Sequence, residues 1–271
     1  MPEGDTVWLT AHRLHGALAV QRLVRAELRV SAYATSTLAG ATVTEVVSYG
    51  KHLLTRLDDG RTVHTHLRMD GSWRLFAHGK PWRGGATHQI RALLCTEQTD
   101  AVGYRVHDIA VAPTADESRW IGHLGPDLLG TAWDADPATA HTEALRRLRE
   151  KPTRDIGSAL LDQRNLAGIG TLYRAETLFL TGTNPWTPVT DVPDLGAVVG
   201  KARRLLRANR DHWDQSTTGS TRRGQEHWVF ERQRRPCRRC RTPIEVAKTG
   251  EPPYQRLAYW CPHCQPTRDK S

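Results

Sequence analysis

The chain has 271 residues, of which 38% are hydrophobic and 25% charged, which excludes a disordered chain and allows two modest cores with a small appended module. No run of eighteen apolar residues occurs, which excludes a helical membrane span, and the polar start excludes a basic-then-apolar secretory signal, so we expect a cytoplasmic protein. The net charge of +9 favours an anionic partner.

Residues 201–240 carry much of this charge, with twelve Lys and Arg against four Asp and Glu. Eleven of the twelve are Arg, whose planar guanidinium suits phosphate oxygens. A solvated basic helix face is the alternative interpretation. We expect nucleic acid as the partner.

The first predicted element is a helix that follows Pro2 and Glu3. Asp5 is a suitable N-cap residue, and apolar residues recur behind it at helical spacing. The apolar positions are Val7, Ala11, Leu14 and Leu18. This pattern predicts that Pro2 and Glu3 lie just ahead of a helix start.

Short strands are predicted after this helix, with Asp59-Gly60 as a hairpin turn between two of them. Closely spaced short strands favour an antiparallel sandwich or barrel. The predicted strands are Val43–Tyr49, His52–Leu57, Thr62–Leu67 and Ser72–Phe76.

Helical segments replace strands from Pro137 onward, and a tight turn, Ala167–Gly170, separates two of them. The predicted helices are Ala138–Glu150, Ile156–Leu161, Leu172–Leu180 and Leu195–Asn209. The change in pattern predicts three parts: a β-rich domain over 1–125, a helical domain over 130–228 and a small metal module over 229–271.

Four of the five cysteines form two Cys-x-x-Cys pairs, Cys237 with Cys240 and Cys261 with Cys264. In a cytosolic chain this spacing is typical of zinc bound by four thiolates, and a closed set of four ligands indicates a structural Zn²⁺. Two unrelated redox pairs are the alternative. The arm between the pairs predicts a β-hairpin, and Cys95 is predicted to be a buried small hydrophobe.

Several motifs in this order resemble the Fpg/Nei (formamidopyrimidine-DNA glycosylase/endonuclease VIII) family over nearly the whole chain. The motifs are Pro2-Glu3-Gly4, Ser48–Leu54, Leu161-Asp162-Gln163, Ala167–Gly170, Tyr173–Glu176 and Val229–Arg232. The resemblance implies an α+β multidomain fold: an N-terminal antiparallel β-sandwich with a flanking helix, a helix-two-turn-helix domain and a C-terminal zinc-finger β-hairpin.

The resemblance also implies a bifunctional DNA glycosylase/AP lyase whose nucleophile is Pro2, exposed by removal of Met1. A secondary amine gives a permanently cationic iminium, and an α-amino group has an ordinary pKa of roughly 8, so much of it is unprotonated near neutrality. Glu3 would protonate the opening sugar oxygen and Lys51 would bind the phosphate beside the lesion. Glu176 would assist near the sugar, with a structural salt bridge as its alternative role.

Met69 occupies the position of the family's wedge, the apolar side chain that fills the space left by an everted base. A core methionine at a strand end is its alternative role, and surface decoration is the alternative for Arg256. The residues that we predict to contact DNA are Met69, Arg68, Gly168, Gly170, Thr171, Arg232 and Arg256.

Two departures from the family pattern concern groups that would contact DNA. Thr171 replaces the Asn that commonly follows the glycine turn, and Tyr104–Asp108 replaces the Asp-Pro-Arg-Arg-Phe-Gly segment of the purine-directed branch. The second departure favours oxidised pyrimidines or single-stranded substrates. We therefore expect an endonuclease VIII-type enzyme that acts as a monomer on damaged DNA in the nucleoid, with a purine-directed glycosylase or a non-catalytic DNA-binding relative as alternatives.

Overall fold

The computed structural model describes residues 2–267, and the chain divides into two compact units, one ending at His123 and the other beginning at Leu124. Met1 and residues 268–271 lie outside the described residues, so the predicted removal of Met1 and the end of the predicted metal module lie there too. In the described part of the chain, none of the helices has the length and apolar character needed to cross a bilayer.

The first unit contains one long helix and two four-stranded antiparallel sheets, with strand orders β1-β6-β7-β5 and β2-β3-β4-β8. Its main core joins the buried face of the helix to residues from both sheets, as in a sandwich. The elements are α1 (Gly4–Leu18), β1 (Arg25–Leu28), β2 (Val43–Tyr49), β3 (His52–Leu57), β4 (Arg61–His66), β5 (Ser72–Ala77), β6 (Ile90–Cys95), β7 (Thr99–Tyr104), β8 (Asp108–Pro113) and α2 (Ser118–Ile121).

Helix α1 begins two residues earlier than the sequence predicted. Glu3 occupies the N-cap position with extended backbone, and Asp5 lies inside the first turn. The prediction of Asp5 as N-cap is therefore wrong. An acidic residue in the first turn still interacts favourably with the positive end of the helix dipole. The apolar stripe of Val7, Leu14 and Leu18 is buried as predicted.

Strands β2 and β3 form a hairpin with a two-residue turn, because Tyr49 pairs with His52 across it. Gly50, the first turn residue, has a φ of +57°, which glycine adopts without the penalty that a Cβ brings. Lys51 is the second turn residue. The hairpin thus fixes the backbone position of Lys51 within the sheet.

The second unit consists of helices followed by a two-stranded hairpin. Three of its helices begin at aspartates that cap a backbone N–H three residues on: Asp136, Asp155 and Asp194. The elements are α3 (Ala132–Ala135), α4 (Pro137–Arg149), α5 (Ile156–Leu161), α6 (Thr171–Leu180), α7 (Leu195–Asn209), β9 (Glu245–Thr249) and β10 (Arg256–Trp260).

Arg174 joins α6 to the hairpin inside the second unit. Its side chain is fully buried and donates to Thr249 Oγ1 at 2.9 Å and to the carbonyl oxygen of Leu257. A buried guanidinium requires such acceptors. The predicted fold class is confirmed, including the hairpin between the cysteine pairs, while the separation of 130–228 from 229–271 stays a prediction.

Candidate active site and metal centre

The segment ahead of α1 places an acidic side chain inside the first unit. Pro2 is partly buried, and Glu3 is 0% exposed. Charged side chains are almost never fully buried unless they are paired. The burial of Glu3 next to Pro2 therefore indicates a built site rather than a frayed chain end.

Lys51 lies near enough to this segment to interact with its charged side chains. Burial lowers the pKa of Lys51, and the negative charges of Glu3 and Asp5 oppose that shift. The fold thus brings Glu3 and Lys51 within electrostatic reach of each other, while their catalytic roles stay predictions. The sequence did not indicate that Asp5 belongs to this group; Asp5 is also 0% exposed, and the helix-start pattern had presented it as a cap.

The turn between β4 and β5 carries Met69, and we call residues 67–71 the Met69 turn. Leu67 anchors it in the core, and the Gly71 amide donates to the Leu67 carbonyl at 2.8 Å. A Cβ on Gly71 would lie 2.6 Å from the Leu67 oxygen, so only glycine fits there. Met69 is 67% exposed, which rules out the alternative of a core methionine.

Charged residues flank Met69 on both sides of this turn. Arg68 is exposed and pairs with Asp108, and Asp70 pairs with Arg105 at 3.5 Å. Arg68 is thus positioned beside the predicted wedge. Its contact with DNA stays a prediction.

Three histidines of β3 and β4 form a cluster behind the Met69 turn. His52 Nδ1 lies 2.8 Å from His64 Nε2, and the His52 ring meets His66 edge-on. Trp120 stacks on His64 with a centroid separation of 4.8 Å. Burial lowers the pKa of each of the three to about 4, so the cluster is neutral at physiological pH. These three histidines were not among the site residues predicted from the sequence.

In the second unit, the glycine turn is held by Gln163. Its side-chain amide donates to the Ile169 carbonyl at 2.9 Å, and its oxygen accepts from the Gly168 amide at 3.0 Å. Gly168 has a φ of +105°, which explains the glycine. Gly170 caps α6, and Thr171 is its first residue. The positive end of the helix dipole and the backbone N–H groups of a helix start are suited to phosphate.

Glu176 lies on α6 with its carboxylate fully buried. It accepts hydrogen bonds from the amides of residues 228, 229 and 230 at 2.8 to 2.9 Å, and from the hydroxyl of Thr217. These contacts hold the segment that leads into the cysteine module. The role near the sugar stays a prediction.

The two predicted DNA-contacting arginines of the second unit differ in exposure. Arg232 is 8% exposed and donates to the carbonyls of Trp228 and Pro236. Arg256 is exposed at the start of β10 and lines a groove of about 1120 Å³ together with Gln163 and Tyr254. The fold therefore brings Arg256 and the glycine-turn region to one surface.

The four predicted metal ligands come together as expected. The Sγ atoms of Cys237, Cys240, Cys261 and Cys264 all lie within 4.8 Å of one another, with three pairs at 3.3, 3.5 and 4.0 Å. A tetrahedral zinc ion with bonds of about 2.3 Å separates its sulfurs by roughly 3.8 Å. The donor set thus fits a metal ion with four thiolate ligands.

Comparisons with known proteins show which sequences and structures the chain is similar to. Residues 1–109 match the model of the formamidopyrimidine-DNA glycosylase N-terminal domain. The chain is 52% identical over 267 residues to a probable endonuclease 8 2 of Streptomyces coelicolor, covering 98% of this chain and 94% of that protein. It is 42% identical over 265 residues to the DNA-(apurinic or apyrimidinic site) lyase Nei2 of Mycolicibacterium smegmatis, covering 98% and 99%.

Among solved structures, the fold resembles a formamidopyrimidine-DNA glycosylase of Lactococcus lactis bound to DNA that contains an abasic site. The TM-score is 0.78 at 20% identity, and the match covers 98% of this chain and 100% of that one. At this identity the match establishes the fold alone.

Proposed function

The chain belongs to the Fpg/Nei family, and from this premise we propose that it is a bifunctional DNA glycosylase/AP lyase of base excision repair whose nucleophile is Pro2. The observation that carries this proposal is the group of charged side chains beside Pro2. Glu3 and Asp5 are buried there within electrostatic reach of Lys51. An unpaired surface terminus would need no such arrangement.

In the first step, the amine of Pro2 forms a bond to C1′ of the damaged nucleotide while the bond from C1′ to the base breaks. The base leaves with that electron pair and takes up a proton. Protonation of O4′ by Glu3 then opens the sugar and leaves an iminium ion on Pro2. Glu3 is adjacent to Pro2 in the chain and buried beside it, so its carboxyl group is positioned for this proton transfer.

In the second step, the iminium ion withdraws electrons and a proton leaves C2′. The bond to the 3′ phosphate breaks, and water finally hydrolyses the iminium and frees Pro2. Lys51 supports both steps by binding a phosphate next to the lesion. Its backbone is fixed in a two-residue hairpin turn, so only the side chain has to be ordered when DNA binds.

DNA is held by groups in both units, each with its own chemistry. Met69 fills the space of the everted base, and its exposure of 67% supports this role. The turn around Gly168 and the start of α6 at Thr171 offer N–H groups to phosphate, and Arg256 offers a guanidinium. Arg232 supports this surface from within, because its guanidinium is bound to backbone carbonyls.

The metal is zinc in a structural role. All four ligands are cysteines, so zinc keeps no open position for a substrate and instead stabilises the fold of the module. The protein acts as a monomer on DNA of the nucleoid.

We propose oxidised pyrimidines as the substrates. Residues 104–108 replace the segment with which the purine-directed branch fills the duplex opposite the lesion, so discrimination of the opposite base is weakened. The test is a panel of thymine glycol and 8-oxoguanine in single- and double-stranded DNA. Faster release of thymine glycol supports the proposal, whereas faster release of 8-oxoguanine from matched duplexes would instead favour a purine-directed glycosylase.

A further inference from the structure

The Met69 turn holds a backbone conformation that needs support. Arg68 has a φ of +51°, in the left-handed region. For a residue with a Cβ this conformation is unfavourable. Met69 follows directly and is exposed, so it makes little contribution of its own to the packing of the turn. Other groups must therefore hold Arg68 in place.

His66 provides one such support through its side chain. Its Nδ1 accepts a hydrogen bond from the backbone amide of Arg68 at 3.0 Å. The side chain of Arg68 pairs with Asp108, and Asp108 is the register partner of His66 on the neighbouring strand β8. Backbone and side chain of Arg68 are thus tied to two adjacent positions of one sheet.

The imidazole ring of His66 is itself well defined. It meets the His52 ring edge-on with centroids 5.2 Å apart. Burial lowers the pKa of His66 to about 4, helped by His52, Arg68 and Lys51 and opposed by Asp108, so the ring is neutral. A neutral imidazole that accepts through Nδ1 carries its hydrogen on Nε2. The ring therefore offers Arg68 a lone pair in a fixed direction.

We propose that His66 is a positioning residue for base eversion, which holds the Arg68 amide and thereby fixes Met69 in its projecting position before DNA binds. The inference rests on the proposed function, in which Met69 fills the space of the everted base. A wedge that is already ordered costs less entropy on binding than one that must be ordered by the DNA.

Two substitutions at His66 distinguish the effect of losing the hydrogen bond from the effect of losing the imidazole ring. In His66→Asn the side-chain oxygen can take the place of Nδ1 as acceptor, whereas His66→Leu offers no acceptor. The matched control is His64→Leu, which disturbs the same histidine cluster from two residues earlier on β4, where the His64 side chain bonds to His52 rather than to the Met69 turn. Thermal unfolding of all three variants measures any loss of folding.

The readout is the rate of excision of an oxidised base compared with the rate of cleavage at a preformed abasic site. An abasic site has no base to unstack, so it depends less on the wedge. His66→Leu should lower base excision about tenfold or more, a size typical of a slightly misplaced group. Abasic-site cleavage should stay within about twofold, His66→Asn should recover most of the excision, and His64→Leu should not change the ratio.

A double-mutant cycle tests whether His66 acts through Met69. In a Met69→Ala background, His66→Leu should have little further effect on excision. Full additivity of the two substitutions would overturn the proposal, as would an equal loss of both activities in His66→Leu. If the wild-type protein cleaves neither substrate, the proposed function fails, which is a different outcome from an active enzyme that is indifferent to His66.

If His66→Leu does not fold, the wild-type protein still decides the question. The ¹⁵N spectrum of its histidines should show His66 with an unprotonated Nδ1 and a hydrogen on Nε2. The Arg68 amide should exchange slowly with solvent. A hydrogen on Nδ1 or a rapidly exchanging Arg68 amide would overturn the proposal.

Discussion

The carboxylate of Glu3 raises the pKa of Lys51 against the lowering effect of burial, although the two residues are 48 positions apart in the chain. One precedes α1 and the other lies in the β2–β3 turn. Their proximity gives the segment around Pro2 a defined electrostatic setting. It also determines how the protein should respond to changes at Lys51.

Replacing Lys51 should weaken binding to DNA that carries a non-reactive abasic analogue. We expect Lys51→Ala to lose about tenfold in affinity, since a hydrogen bond to a charged group contributes about 1.5 to 3 kcal/mol. The affinity of the wild type for DNA should also fall as rising pH deprotonates Lys51. Because the pKa of Lys51 is lowered, this fall should occur at a lower pH than for an ordinary lysine. Lys51→Arg should remove this pH dependence.

Fluorescence anisotropy between pH 7 and 10 measures these affinities, with the exposed Lys80→Ala as the matched control. An equal loss in Lys80→Ala and Lys51→Ala would mean that only net charge matters. The assignment of Lys51 to the phosphate would then be wrong.

Glu176→Gln should destabilise the second unit, because its carboxylate accepts three backbone N–H bonds and one hydroxyl. The side-chain NH₂ group of glutamine is a hydrogen-bond donor, so it cannot accept from these N–H and O–H groups. We expect a loss of about 2 kcal/mol or more in the free energy of unfolding, measured in urea. Glu231→Gln, an exposed carboxylate of the same segment, is the control and should cost much less.

The same variant decides between the two roles of Glu176. If Glu176→Gln unfolds like the wild type but cleaves abasic sites far more slowly, the role near the sugar stands. If stability falls and the folded fraction cleaves normally, the role is structural.

Loss of the proposed metal should weaken DNA binding while the first unit stays folded. Cys237→Ser leaves three thiolates, and zinc bound by the purified protein should fall below one equivalent. His263→Ser is the control, because His263 lies between two ligands but outside the cluster of four. Hydrogen exchange of the backbone amides measures the structure of each unit in Cys237→Ser. Loss of structure in both units would contradict a metal module confined to the second unit.

Acid should destabilise the first unit through the cluster of His52, His64 and His66. Their pKa values are about 4 in the folded protein and near 6.5 when unfolded, so only the unfolded chain takes up protons between these values. Stability present above pH 6.5 should therefore fall as the pH drops towards 4. The loss is at most about 1.4 kcal/mol per pH unit for each histidine.

His64→Phe keeps an aromatic ring against Trp120 and removes one titrating group. The difference in unfolding free energy between this variant and the wild type should shift in favour of the variant as the pH falls from 7 to 4.5. A difference that does not change with pH would contradict neutral burial of His64.

Much of the fold was predictable because its patterns are local. The bounds of β2, β3, α5 and α7 agree with the predicted ones, and the four cysteines have a spacing that indicates their shared site. Strands such as β6 and β7 were missed, because they lie inside a sheet where nearly every residue is buried, so no alternation marks them.

The candidate site was less predictable, because its main features arise from long-range contacts. Nothing local in the sequence indicates that Glu3 and Asp5 are both buried, or that His66 supports the turn of Met69. The sequence left open whether Met69 is an exposed wedge or a core residue, and only the fold shows that it is exposed. The burial of Arg174 against the hairpin likewise depends on residues 75 positions away.

The most direct test of the account is borohydride trapping on abasic-site DNA, followed by mapping of the adduct by mass spectrometry. With Met1 removed, the protein should form one covalent adduct in the tryptic peptide of residues 2–13, at the nitrogen of Pro2. The same chain with a blocked amino terminus should form none. An adduct on Lys51, or trapping that persists in the blocked chain, would contradict the assignment of Pro2 as the nucleophile.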